Sequence, residues 1–166
     1  RQLLKSVFGY DDFRPGQDQV LARVLAGESV LAVMPTGSGK SMCYQLPALM
    51  EEGLTLVVSP LIALMRDQVS QMQSLGIAAA TLNSMTQEEE AAAIWAQMRK
   101  GEMKLLYVSP ERLVSEALLR SLKPLALSVW LLMKPIACPN GDMISGPTTG
   151  CCDHCSIILA MCRASP

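Results

Sequence analysis

The sequence predicts an α/β fold in which a parallel sheet is flanked by helices. Short apolar runs, SVLAVM (Ser29–Met34), LTLVVS (Leu54–Ser59) and KLLYVS (Lys104–Ser109), alternate with longer amphipathic stretches. Strands buried on both faces and joined by crossover helices produce that pattern. A glycine-rich stretch, MPTGSGKS (Met34–Ser41), also stands between a strand and a helix, where backbone N–H groups and the helix N-terminus favour a bound phosphate.

Taken in order, Gln17–Leu25 reads as a helix, Ser29–Met34 as a strand and Lys40–Met50 as a second helix. Leu54–Ser59 is a buried strand, and the helix after it, Leu61–Leu75, places Leu61, Leu64, Met65, Val69 and Met72 near a 3.6-residue period. Ala78–Leu82 is a short strand. Thr86, with Glu89 three residues on, has the capping-box spacing for a helix running to Lys100, where Gly101 stops it. Lys104–Ser109 is a further strand and Pro110–Leu122 a further helix. Strands end at Met34, Ser59 and Ser109, and open α/β sheets bind ligands at such carboxyl ends.

The 166 residues are half apolar, enough for one buried core. With a net charge of −1, nucleic-acid affinity must come from placed groups rather than from a basic surface field. The longest apolar run, Leu125–Met133, is about half the ~20 residues a membrane span requires. The opening RQLLKSVFGYDD lacks the apolar stretch and cleavage site of a secretory signal. The expectation is a cytoplasmic protein without membrane association, nucleoid-associated in a bacterium. Composition shifts near residue 125: Cys43 is alone before it, while Cys138, Cys151, Cys152, Cys155 and Cys162 follow, and only Lys134, Asp142, Asp153 and Arg163 carry charge there.

Within MPTGSGKS, Gly37 and Gly39 allow the backbone to wrap phosphate groups, Lys40 reaches the β and γ phosphates, and the Ser41 hydroxyl is placed for Mg²⁺. Met34 stands where the strict pattern has Gly. The bland alternative is a strand-to-helix turn carrying a surface lysine. Kinases, GTPases and motors share the loop, so it does not name the reaction.

FGYDDFRPGQ (Phe8–Gln17), MPTGSGKSMCYQLPAL (Met34–Leu49), VVSPLIALMRDQV (Val57–Val69), LNS (Leu82–Ser84) and LLYVSPERL (Leu105–Leu113) occur in this order. Together they resemble the first motor lobe of the RecQ family of ATP-dependent DNA helicases, over about residues 3–124. The resemblance implies an incomplete RecA-like P-loop NTPase lobe, with ATP and Mg²⁺ as cofactors and single-stranded and duplex DNA as partners. It implies 3′ to 5′ unwinding driven by ATP hydrolysis, in recombination and repair. Tyr10, Arg14 and Gln17 are then the adenine readers, which suits an aromatic ring and an amide that both donates and accepts. Thr36, Gly37, Ser38, Gly39, Lys40 and Ser41 are the phosphate and metal residues, with Lys40 the catalytic one. Ser59, Pro60, Arg66, Asn83, Ser84, Ser109 and Arg112 become the DNA contacts, since serines and helix N-termini at strand ends bind phosphate oxygens. Ordinary Ser-Pro helix capping is the bland reading of the two serines.

The family requires an Asp-Glu-Ala-His box after the strand near residue 130, for the metal and the attacking water. SVWLLMKPIACP stands there instead. Cys151, Cys152, His154 and Cys155 with Cys138 or Cys162 could supply zinc ligands, but the C-x-x-C spacing occurs once, at Cys152 and Cys155, without a second pair. A shifted reading frame explains more. If each codon begins at the third base of the present one, LLMKPIACPNGDMISGPTTG (residues 131–150) can be back-translated to spell VDEAHCMSQWGHDFRPDYR, which resembles the VDEAHC-SQWGHDFRP that the RecQ family shows at this point. The expectation is therefore a partial helicase ATP-binding domain at 1–124. Residues 125–166 are expected to be a disordered, non-homologous tail, out of frame after a one-base deletion near Val129 and without zinc. Lacking the box and a second lobe with its arginine finger, the chain is expected to be inactive in hydrolysis and unwinding, and to aggregate or pack loosely through bare apolar faces. The alternative from another class is a non-catalytic nucleotide- or zinc-binding module. A small P-loop kinase is disfavoured, because no acidic base follows the second strand and the Tyr10–Gln17 segment has no role in one.

Overall fold

The computed structural model describes residues 1–35, 37–123, 125, 127–135 and 156–163. Its elements in chain order are α1 (Gln2–Phe8), α2 (Gln17–Leu25), β1 (Val30–Pro35), α3 (Met42–Met50), β2 (Leu54–Val58), α4 (Ile62–Ser74) and β3 (Ala79–Leu82). There follow α5 (Glu88–Arg99), β4 (Leu105–Val108), α6 (Pro110–Leu113), α7 (Glu116–Leu122), β5 (Leu127–Pro135) and β6 (Ser156–Arg163). The strands form one sheet in the order β1-β6-β5-β2-β4-β3. β5, β2, β4 and β3 are mutually parallel, as expected.

Strand β2 shows why the runs are apolar at every position: Leu54, Thr55, Leu56, Val57 and Val58 are all buried. Alternate side chains serve opposite faces of the sheet. Val57 joins Tyr107 and Leu105 in a core with Met65, Val69 and Met72 of α4 and Tyr44 and Ala48 of α3. Leu54 and Leu56 join Leu106 and Val108 in a second core with Ile94 and Met98 of α5 and Leu118 and Leu122 of α7. The periodic positions on α4 therefore face the sheet, except that Leu61 lies just before the helix and is exposed.

Four expectations need correction. Helix α1 was not anticipated; its Leu4 fills a third cluster with Leu21, Met42 and Leu46. Thr86 does not cap α5: the helix starts at Glu88 after Gln87. The Thr86 hydroxyl instead donates to the Thr81 carbonyl at 3.3 Å and accepts from the Asn83 N–H at 3.0 Å. A turn has claimed the hydroxyl first. The single helix expected over Pro110–Leu122 is two, because Ser115 breaks off to cap α7, accepting from the Leu118 N–H. Gly101, with φ of 71°, ends α5 as expected.

The fourth concerns residues 125–166, where disorder was expected. Leu127–Pro135 and Ser156–Arg163 are strands. The apolar run around Leu131 pairs parallel with β2, and its Leu131 and Met133 enter the first core. β6 pairs antiparallel with both β1 and β5, so the sheet is not wholly parallel. Since β1 and β5 both oppose β6, β1 runs in the same direction as the other four strands. The carboxyl ends of β1, β2, β3 and β4 thus lie along one edge of the sheet.

Candidate nucleotide and strand-end site

The glycine-rich loop leaves β1 at that edge and leads into α3. Gly37 and Gly39 have φ of 80° and 75°, left-handed values that side chains disfavour. Thr36 lies outside the described residues. Beside the loop is a cavity of about 480 Å³ whose lining includes Tyr10, Arg14, Gln17, Gly39, Ser41 and Gln45. The expected adenine readers and two loop residues therefore share one cavity, with the Tyr10 ring half exposed on it.

Arg14 and Gln17 do more than line it. The Arg14 guanidinium donates from Nη1 to the Gly37 carbonyl. Gln17, only 4% exposed, donates from Nε2 to the carbonyls of Ser38 (3.1 Å) and Gly39 (2.9 Å), and its Oε1 accepts the Arg14 N–H at 2.9 Å. Both ends of the amide are engaged by backbone, so in this arrangement it braces the loop rather than offering itself to a base. Close approach makes Gly39 specific: a Cβ there would sit 2.5 Å from Gln17 Nε2. Gly39→Ala is expected to cost about 1–3 kcal/mol in urea unfolding, from strain at positive φ and the lost brace. A stability equal to the parent's would show that Gln17 is not packed against the loop.

Lys40 is 7% exposed, and desolvation lowers its pKa below the ordinary lysine value, with Cys43 nearby partly opposing the shift. Cys43 is fully buried and burial pushes its thiol up to about 11. An uncharged thiol is a poor nucleophile. Cys43 is expected to resist iodoacetamide at pH 8 in the folded chain and to react in denaturant, read by peptide mass mapping; rapid native labelling would contradict its burial. The loop N–H groups, the Lys40 ammonium and the Ser41 hydroxyl fit a polyphosphate with a divalent cation, which takes oxygen ligands.

Farther along the same edge, Ser59, Asn83 and Ser109 follow β2, β3 and β4, each at most 2% exposed. The polar groups of Ser59 and Asn83 are committed. Ser59 Oγ accepts the Leu61 N–H at 3.3 Å. Asn83 Oδ1 accepts the Met85 N–H at 2.8 Å and its Nδ2 donates to Thr81 Oγ1 at 3.3 Å. Arg112 Nε donates to the Asn83 carbonyl at 3.2 Å, and Arg66 Nη2 lies 3.8 Å from Met85 Sδ. The turn from Leu82 to Met85 thus links the helices after β2 and β4. Pro60 and Ser84 are exposed beside it.

Among the described residues no group of His, Cys, Asp and Glu could hold a metal ion. The zinc candidates Cys138, Cys151, Cys152, His154 and Cys155 lie outside the described residues, as does the Cys162 side chain. No described helix is long and apolar enough to cross a membrane. The sequence reading overlooked the polar groups Tyr44, Gln45, Gln68 and Tyr107 beneath the loop; two of them stand inside the otherwise apolar α3, which was the available signal.

A largely parallel sheet with a phosphate-type loop at one end of its strand-end edge is the architecture of a RecA-like nucleotide-binding lobe. The sequence profile of DEAD/DEAH box helicases matches residues 14–129, and the chain belongs to that family. Within the family, it is 52% identical over 115 residues to the ATP-dependent DNA helicase RecQ of Haemophilus influenzae, covering 69% of this chain and 19% of the relative. It is 50% identical over 113 residues to that of Pasteurella multocida (68% and 18%), and 46% identical over 124 residues to that of Bacillus subtilis (74% and 21%). The chain corresponds to the N-terminal part of a RecQ-family helicase and spans about a fifth of the length of these relatives.

Proposed function

We propose that residues 1–124 are the ATP-binding part of the first motor lobe of a DNA helicase that unwinds 3′ to 5′ in recombination and repair, and that this chain alone neither hydrolyses ATP nor unwinds. The observation that carries the reading is the shared cavity of Tyr10, Arg14, Gln17, Gly39 and Ser41 at the strand-end edge that also holds Ser59, Asn83 and Ser109. Bound ATP with Mg²⁺ supplies the phosphoryl transfer that drives strand separation. This chain's residues hold it: Tyr10 stacks on the base, Arg14 and Gln17 release loop carbonyls to face its edge, and Lys40 neutralises phosphate charge. Ser41 offers its hydroxyl to the metal. Thr36, Gly37 and Ser38 complete the loop. Pro60, Ser84, Arg66 and Arg112 flank a path for single-stranded DNA, with Ser59, Asn83 and Ser109 shaping the turns. A cytoplasmic location, nucleoid-associated in a bacterium, suits that role.

Residues 125–166 belong to this proposal as an out-of-frame tail. The family match ends at residue 129, beside the frame break near Val129. No adjacent Asp-Glu pair occurs from Pro124 to Pro166, so the carboxylates for metal and water are missing. β6 also intrudes antiparallel between strands that run in one direction. Beside it, Leu31 and Val33 of β1 and Leu132 of β5 are 68%, 57% and 49% exposed, an apolar face left without a covering layer.

Titration of the chain with a fluorescent ATP analogue and Mg²⁺ tests the reading. Expected are saturable binding, displacement by ATP in preference to GTP, separate binding of labelled oligothymidylate, and no phosphate release above background. Absence of nucleotide binding, or sustained turnover, would sink it.

A further inference from the structure

Beneath the loop, four polar side chains meet inside the apolar core that α3 and α4 build against the sheet. Tyr44 and Tyr107 are at most 1% exposed and Gln45 is 2% exposed. Gln68 of α4, half-buried, is their meeting point: its Oε1 accepts from Gln45 Nε2 at 2.8 Å and from Tyr44 Oη at 3.2 Å. Tyr107 Oη donates to Tyr44 Oη at 3.4 Å, the two rings standing edge to face at 6.3 Å. The backbone N–H groups of Tyr44 and Gln45 donate to the Ser41 carbonyl at 3.2 and 2.9 Å, tying both residues to the end of the loop.

The positions matter more than the number of bonds. Tyr44 and Gln45 lie on the helix that the phosphate loop feeds. Gln68 is two residues past Arg66, and Tyr107 two residues before Ser109. The network therefore joins the Ser41 end of the nucleotide cavity to the two elements that carry proposed single-strand contacts. Buried polar groups are costly to leave unpaired. A shift of α4 against α3 breaks both bonds to Gln68 Oε1 together, so the pair of helices favours discrete arrangements over gradual sliding.

We propose that Gln68 is a positioning residue that couples occupancy of the strand-end DNA path to the phosphate loop, holding Tyr44 and Gln45 in the arrangement that orients Ser41. The inference rests on the helicase reading above. Arg66 would touch the strand; Gln68 acts only through its neighbours.

The test measures the affinity of a fluorescent ATP analogue with Mg²⁺, with and without saturating oligothymidylate, on the whole chain. In the parent, oligothymidylate is expected to tighten nucleotide binding about fivefold or more, the lower range of ordinary site-to-site coupling. In Gln68→Leu that ratio falls to about one, while each ligand alone binds within roughly a factor of two of the parent. Gln68→Glu keeps an acceptor oxygen and restores the ratio, which a merely space-filling role would not require. Tyr44→Phe removes one donor and keeps the ring; it lowers the ratio and decides the matter if Gln68→Leu does not fold. A parent-like ratio in Gln68→Leu or in folded Tyr44→Phe overturns the proposal, as does a ratio of one in a parent that binds both ligands. A parent that binds neither ligand overturns the helicase reading itself, and this inference with it.

Discussion

Lys40→Ala is expected to weaken binding of ATP with Mg²⁺ by about 10- to 100-fold, the worth of a charge-assisted hydrogen bond to phosphate. Stability should change little, because the ammonium is held where desolvation already disfavours its charge. That combination separates a ligand-binding lysine from a structural one. The pH dependence follows with a definite sign. Phosphate binding needs the protonated amine, and burial lowers the Lys40 pKa from its ordinary value. Nucleotide affinity should therefore be full below the lowered pKa and fall as pH rises through it, earlier than an exposed lysine would allow. The Lys40→Ala profile should lack that fall. Calorimetric titrations of parent and variant across the alkaline range check both statements, and equal affinities would remove the phosphate role of the loop.

Leu56→Ala is expected to destabilise the fold by about 3–5 kcal/mol, near the upper end for a buried leucine. Leu56 is fully buried in the second core, and its register neighbours are Leu106 on β4 and Trp130 on β5. Both faces of the sheet are occupied there, so little collapse can fill the space. A loss of that size is a large fraction of the stability of an ordinary domain, about 5–15 kcal/mol. The urea midpoint should drop accordingly. A change below about 1 kcal/mol would mean that α5 and α7 do not pack on β2 as described.

Strands β1 to β4 were legible because each is an apolar run: Leu54 and Val57 serve opposite cores, and no amphipathic surface strand reads that way. Helix α4 was legible from Met65, Val69 and Met72, whose spacing is the spacing of the contact. Helix α1 was hidden because only Leu4 of its seven residues is fully buried. Thr86 misled because a hydroxyl three residues before a glutamate suits a cap and a turn equally, and only the position of Asn83 decides between them. In the candidate site, the residue types at Tyr10, Gln17, Lys40 and Ser41 announced a nucleotide. That Arg14 and Gln17 hold loop carbonyls could not be read, since it depends on how α2 meets the loop across more than twenty residues of chain. Gln68 escaped notice for a similar reason: one of three glutamines on an amphipathic helix, it looks like solvent-facing decoration until Tyr44 and Gln45 are brought against it.

Beyond Val129 the proposed change of frame bears on three features. The apolar content there suffices to make two strands, yet the face bearing Leu31, Val33 and Leu132 stays open and the acidic pair is absent. A displaced frame accounts for all three features at once, since apolar codons survive a shift more readily than the order of functional side chains does. The DNA encoding codons 120 to 170, and the stretch beyond, tests this most directly. The account predicts one more G within the run that specifies Val129, and a second frame that reads VDEAH and stays open downstream. An unaltered run, with that frame soon closed by stop codons, would contradict it.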